Sequence, residues 1–174
     1  MLRRLLCHQK TGGPDVGSLA PDFSFATFQG DRFTLSESLK KGPAVIAFFK
    51  VSCPVCQFTF PFLERIYQAY RHAPFTVQAV SQDNEEKSQR FCEQFGVTFP
   101  VATDGEGFPA SKSYAFSEVP TIFLIDREGR IRLRFSGFSK AALIQLSAEI
   151  GNLVGRPPAP VFLAGERVPE IRPG

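Results

Sequence analysis

Residues 44–49 read Ala-Val-Ile-Ala-Phe-Phe, six apolar side chains without a break. A strand with one wet face alternates apolar and polar residues. An unbroken apolar run of strand length instead fits a strand covered on both faces. Double coverage is the mark of α/β proteins, in which helices pack on each side of a sheet. The run therefore predicts a central strand in an α/β fold. It is far shorter than the roughly 18 apolar residues that begin to suggest a spanning helix, and no membrane span is expected.

The neighbouring patterns extend this reading. Residues 24–34 alternate around Gln29-Gly30-Asp31 and predict a β-hairpin ahead of the sheet. Ser36 is expected to cap a short helix through Leu39, stopped by Gly42 and Pro43. From Cys53 to about Arg71, Phe58, Phe62, Ile66 and Tyr70 recur at helical spacing. The pattern runs past Pro61, which should kink this helix rather than end it. Residues 75–80 read as the next strand. Asp83 and Glu86 resemble a capping box for a helix that ends at Gly96. Residues 121–126 and 130–135 form a hairpin through Arg127, Glu128 and Gly129. Ser139 then caps a last helix with Leu143, Leu146 and Ile150 on one face. The order predicts a central mixed β-sheet flanked by helices, with an N-terminal β-hairpin extension. At 174 residues the chain is long enough for one domain with a real core. Its organisation reads as a flexible segment at 1–17, the domain at 18–155, and a Pro-rich extended tail at 156–174. That tail either lies on the domain or is loose in solvent.

Cys53 and Cys56 stand where the central strand gives way to the long helix. A metal site needs about four ligands, and Cys7, His8, His72 and Cys92 are scattered, so no metal is expected. An inert structural disulfide across so short a loop would stabilise little. A redox pair fits the position. A helix N-terminus offers unpaired N–H groups and about half a positive charge, and both stabilise a thiolate at Cys53. Pro54 suits the first helical turn, which needs no N–H there. Cys53 can attack a substrate disulfide, and Cys56 can then attack Cys53 to release the product.

Net charge of only +3 argues neither for a nucleic-acid partner nor for a membrane surface, and no nucleic acid is expected as partner. The start, "MLRRLLCHQK", has a basic flank but an apolar core shorter than the ~7 to 15 residues of an export signal. By that criterion the chain is expected in the cytoplasm.

The stretches "APDFSFATFQGDRFTL", "SCPVCQFTFPFLERIY", "VSQD", "GVTFPVATD" and "VPTIFLIDREGRI" resemble the thioredoxin superfamily. Among its members they look most like the TlpA/ResA-type thiol–disulfide oxidoreductases and the neighbouring redoxins of the AhpC/TSA group. The resemblance covers roughly residues 18–155. It implies a thioredoxin-like fold and an enzyme that reduces, oxidises or exchanges disulfides in protein substrates through Cys53 and Cys56. It implies no cofactor beyond the redox-active Cys53–Cys56 disulfide, and an unidentified thiol or reductase as electron donor. Pro54, Val55 and Pro61 would support the pair. Pro120 would be cis, and Val119, Pro120 and Thr121 would bind substrate, with the Val119 backbone pairing with an extended chain. The family also allows a periplasmic or membrane-facing location. Two positions depart from its pattern. Ser52 stands where Trp usually precedes the first cysteine, and Ala47 stands where thioredoxin carries a buried Asp.

Two other functions remain open at this point. Peroxiredoxins share the fold, and in that reading Cys56 is peroxidatic and Cys92 resolving. Phe49 and Cys53 then occupy the positions of the expected Pro and Thr. The bland reading of Cys92 is a small hydrophobe on a helix face beside Phe91 and Phe95. The third alternative is a non-catalytic binding module. Of the remaining features, Arg130, Arg132 and Arg134 read as charge guarding a solvent face or sheet edge. Glu64 and Arg65 are expected to face water.

Overall fold

The computed structural model describes residues 13–174. In chain order the elements are β1 (Ser24–Ala26), β2 (Arg32–Thr34), α1 (Leu35–Leu39), β3 (Ala44–Phe49), α2 (Pro54–Tyr70) and β4 (Thr76–Ser81). Next come α3 (Glu85–Phe95), β5 (Val101–Thr103), α4 (Pro109–Tyr114), β6 (Thr121–Ile125) and β7 (Ile131–Ser136). The chain finishes with β8 (Phe138–Ser139), α5 (Lys140–Val154) and β9 (Ile171–Arg172). Strands β1 and β2 form the expected hairpin.

The central sheet has the order β5-β4-β3-β6-β7. Strand β3 pairs parallel with β4 and antiparallel with β6, so the sheet is mixed. All six residues of β3 are buried, and its alternation explains why no polar residue is tolerated. Val45, Ala47 and Phe49 face one core with Phe60, Leu63 and Ile66 of α2, Phe91 of α3, and Leu143 and Leu146 of α5. Ala44, Ile46 and Phe48 face a second core with Leu35, Leu39, Tyr114 and Phe25. Each layer is rich in aromatic rings. On one side Phe60 touches Phe49 and Phe91, and on the other Phe48 touches Tyr114 and Phe116. Rings at these spacings add to their area burial.

The caps differ in part from the sequence expectation. Helix α1 begins at Leu35 behind Thr34, and Ser36 lies inside it. The group that satisfies the first turn is Asp22, whose carboxylate accepts from the Ser36 N–H at 3.0 Å. In α3 the capping side chain is Asn84, accepting from Lys87 N–H at 2.9 Å, rather than Asp83. Asp83 instead accepts from the Val51 N–H at 2.8 Å. Ser139 caps α5 as expected, accepting from Ala142 N–H at 3.2 Å. Helix α2 continues through Pro61. Short α4 rests on Asp104, whose two carboxylate oxygens accept from Ala110 and Ser111 N–H at 2.8 Å each.

Glu64 and Arg65 do not simply face water. Glu64 accepts from the Thr98 N–H at 2.8 Å and so holds the loop before β5. Arg65 makes two bonds of 2.8 Å to the Glu166 carboxylate and a third to the Val161 carbonyl. The Arg65 hydrogen bonds hold the Glu166 carboxyl down at about 2, with the Leu163 N–H acting in the same direction. Val161 is only 4% exposed, and the Tyr70 hydroxyl accepts from the Ala159 N–H at 2.8 Å. The C-terminal tail therefore lies on the domain along α2 and α5.

Residues 13–19 follow the outer edge of β7. Gly17 and Ser18 pair with Ile131, and Arg130 and Arg134 donate to the carbonyls of Gly17 and Pro14. The arginine strip thus sits on a sheet edge, as read from the sequence. Residues 13–17, the end of the segment expected to be flexible, are held by these bonds. Cys7, His8 and the rest of residues 1–12 lie outside the described residues.

Candidate active site

Strand β3 delivers the chain to a tight turn at Lys50–Ser52, closed by a hydrogen bond from Cys53 N–H to the Lys50 carbonyl at 3.2 Å. Two side chains hold that turn. Asp83 accepts from Val51 N–H, and Gln57 donates through Nε2 to the Val51 carbonyl at 2.8 Å. Cys53 is the N-cap of α2. Its sulfur accepts from the Cys56 N–H at 3.2 Å, so one orphan donor of the helix end points at it. In its thiol form the same sulfur donates to the Val119 carbonyl at 3.4 Å.

The two cysteines differ sharply in surroundings. Cys53 is half-buried, whereas Cys56 is 0% exposed beneath it. Burial pushes the Cys56 thiol well above its ordinary range, and its hydrogen bond with Cys53 adds to the rise. Both effects favour the thiol form of Cys56. Pro54 is exposed in the first turn, and the half-buried Val55 gives its carbonyl to the Thr59 hydroxyl at 2.7 Å.

The Val119–Pro120 peptide bond is cis. The Pro120 carbonyl accepts from Gly137 N–H at 2.8 Å, which ties this loop to the end of β7. Val119 is half-buried and adjoins the Cys53 sulfur. Thr121, expected to bind substrate, is 0% exposed, and its hydroxyl lies 2.6 Å from the Glu118 carbonyl and 2.7 Å from the Ser136 hydroxyl. Its side chain braces the loop from inside and has no free face for a ligand. Pro61 lies inside α2, eight residues beyond Cys53 and five beyond Cys56, about 12 Å and about 7.5 Å along the helix axis.

Cys92 is placed elsewhere. It lines a groove of about 450 Å³ with Phe28, Tyr67 and Phe99, and neither Cys53 nor Cys56 takes part in that lining. Burial raises its thiol to about 11. Among the described residues, no group of three or more His, Cys, Asp or Glu side chains is arranged to hold a metal ion. Among them too, no helix is long and apolar enough to cross a membrane.

Sequence reasoning missed the bracing role of Asp83. "VSQD" was visible, but a carboxylate near a helix start looked like a cap, and its partner lies 32 residues away. Gln57 carried no signal beyond its place beside Cys56.

The AhpC/TSA family model matches residues 16–134. The chain is 31% identical over 123 residues to the thiol-disulfide oxidoreductase ResA of Geobacillus kaustophilus, covering 70% of each chain. It is 29% identical to the ResA of Geobacillus thermodenitrificans over the same share of both. Among solved structures it resembles a chain from Chlorobium tepidum provisionally assigned as a thiol:disulfide interchange protein DsbE. That match has a TM-score of 0.73 and 30% identity, covering 82% of this chain and all of the other. The thiol pair at the helix start, the adjoining proline loop and these relatives agree: the chain belongs to the AhpC/TSA family of the thioredoxin superfamily, among its ResA-like thiol–disulfide oxidoreductases.

Proposed function

We propose that Cys53 and Cys56 form the redox pair of this oxidoreductase and that its substrates are protein disulfides or dithiols. The reading rests above all on the Cys53 sulfur. It is half-buried at the N-cap of α2, 3.2 Å from the Cys56 N–H, with Cys56 sealed behind it.

In the reductive direction the Cys53 thiolate attacks one sulfur of a substrate disulfide. A Cys53–substrate bond forms, the substrate S–S bond breaks, and the departing thiolate takes a proton from water. Cys53 is now uncharged, so its hydrogen bond and charge no longer add to the burial that holds the Cys56 proton. Cys56 gives up its proton and attacks the Cys53 sulfur. The Cys53–Cys56 bond forms, and the second substrate thiolate leaves and is protonated. The substrate gains two electrons, the enzyme pair loses two, and an external thiol or reductase restores the pair. Run backwards, the sequence oxidises a dithiol. Val119 offers its backbone beside Cys53, where an extended substrate segment can pair with it. Asp83 and Gln57 keep the turn in place, which is positioning rather than chemistry.

The peroxidase alternative asks Cys56 to meet peroxide as a thiolate, and a sealed thiol with a raised pKa is poorly suited to that. Hydrogen peroxide consumption by the wild type and the two serine variants separates the readings. The redox-pair reading expects Cys53→Ser to show no peroxide consumption above its Cys56→Ser counterpart. Consumption that persists in Cys53→Ser and disappears in Cys56→Ser would overturn it.

A further inference from the structure

We propose that residues 171–174 form a strap over the peptide-docking edge at Val119, so that a protein disulfide reaches Cys53 only after the strap lifts. This rests on the Cys53–Cys56 reading above and concerns access to that pair.

The strap is laid down by close backbone crossings. Strand β9 pairs antiparallel with β8, placing Arg172 opposite Phe138 and Ile171 opposite Ser139. Beyond it the chain passes over Gly137 at a distance only glycine permits. A Cβ at Gly137 would stand 2.6 Å from the Arg172 carbonyl oxygen and 2.9 Å from the Gly174 nitrogen. Gly137 also has φ of 69°, a conformation that glycine adopts without strain. The crossing ends on the active-site loop. A Cβ at Gly174 would stand 2.5 Å from the Val119 carbonyl oxygen and 3.4 Å from the Glu118 Cβ. That carbonyl is the atom to which the Cys53 thiol donates. The Arg172 guanidinium lies 4.0 Å from the ring centroid of Phe58, two residues beyond Cys56. An extended chain approaching the Val119 carbonyl therefore meets Gly174 first.

The same end of the tail is weakly held. Upstream, Glu170 accepts from the Lys140 N–H at 2.9 Å, and Glu166 is clamped by Arg65. From residue 171 onward all four residues are exposed, Ile171 at 71%. What remains is a two-residue ladder and one exposed cation–π contact. Such a segment opens at small cost while the tail before it stays docked. Cys53 keeps its partial exposure, so a small disulfide needs no backbone at Val119 and no opening.

The test uses the full chain, the Arg172→Ala variant and a form lacking residues 171–174, each reduced beforehand. Two probes are compared, insulin with dithiothreitol as donor and the non-peptide disulfide DTNB in single turnover. Strap removal is expected to raise the insulin rate at least fivefold, and Arg172→Ala two- to threefold. Both should leave the DTNB rate within twofold of wild type. Unchanged or slower insulin reduction with normal DTNB reaction overturns the strap alone, because the redox pair is then intact and the segment covers nothing. A fourth protein, Cys53→Ser, is the control: a DTNB rate in it that matches wild type overturns the redox-pair reading, and the strap proposal with it.

Discussion

Cys53→Ser lowers the turnover of a protein disulfide by on the order of a thousandfold or more, because among the described residues no other cysteine is placed to take over the first step. A serine hydroxyl is not ionised near neutral pH and cannot exchange with a disulfide. Cys56 cannot substitute, since it is fully buried and its thiol is pushed well above the ordinary range. Cys92 lines a separate groove with its thiol raised to about 11. Insulin reduction followed by turbidity, with dithiothreitol as donor, measures the loss against the uncatalysed rate. The variant should fold normally, because an oxygen at the N-cap still accepts from the Cys56 N–H. Activity within tenfold of wild type would mean that another thiol carries the attack.

The largest expected effect on stability is at Phe60. Its side chain is 0% exposed, with ring centroids 4.5 Å from Phe49, 5.4 Å from Phe91 and 5.7 Å from Phe99. It is the point where α2, β3 and α3 meet under the site. Phe60→Ala removes the buried area and leaves a cavity between rigid aromatic neighbours, which costs about 3–5 kcal/mol. For a chain of this length each kcal/mol lowers Tm by roughly 2–4 °C, so a fall of about 10 °C is expected. Thermal unfolding by circular dichroism measures it. A fall of under about 2 °C would mean that the aromatic layer repacks freely and does not fix α2 against the sheet.

The parts legible in the sequence are those written in local patterns. The six-residue run of β3 showed a doubly covered strand because each face of it meets its own core. Ser139 and Gly96 marked helix ends because the bonding partner lies within a few residues. The cysteine pair was legible because strand, turn and helix start are consecutive in the chain. What escaped is held by long-range bonds of side chains, to backbone or to one another. Glu64 reaches Thr98 across 34 residues, and Arg65 reaches Glu166 across 101. Neither bond leaves a trace in spacing or composition, and both residues read as solvent-facing charge. Helix α4 escaped because it is six residues long and its cap, Asp104, precedes it by several positions. The tail showed as extended, but its return to β8 depends on where α5 and β7 end in space. The resemblance places Thr121 with substrate through its neighbour Pro120, whereas its position as the first residue of β6 turns its hydroxyl inward.

The central claim is that one particular sulfur attacks and its neighbour resolves. Cys56→Ser stops the cycle after the first bond forms, so incubation with a disulfide-containing peptide should trap a covalent adduct. Mass spectrometry after digestion is expected to place the peptide on Cys53 in near-stoichiometric yield, released by dithiothreitol, with Cys92 unmodified. An adduct on Cys92, or none on Cys53 while the wild type turns over the same peptide, would contradict the account.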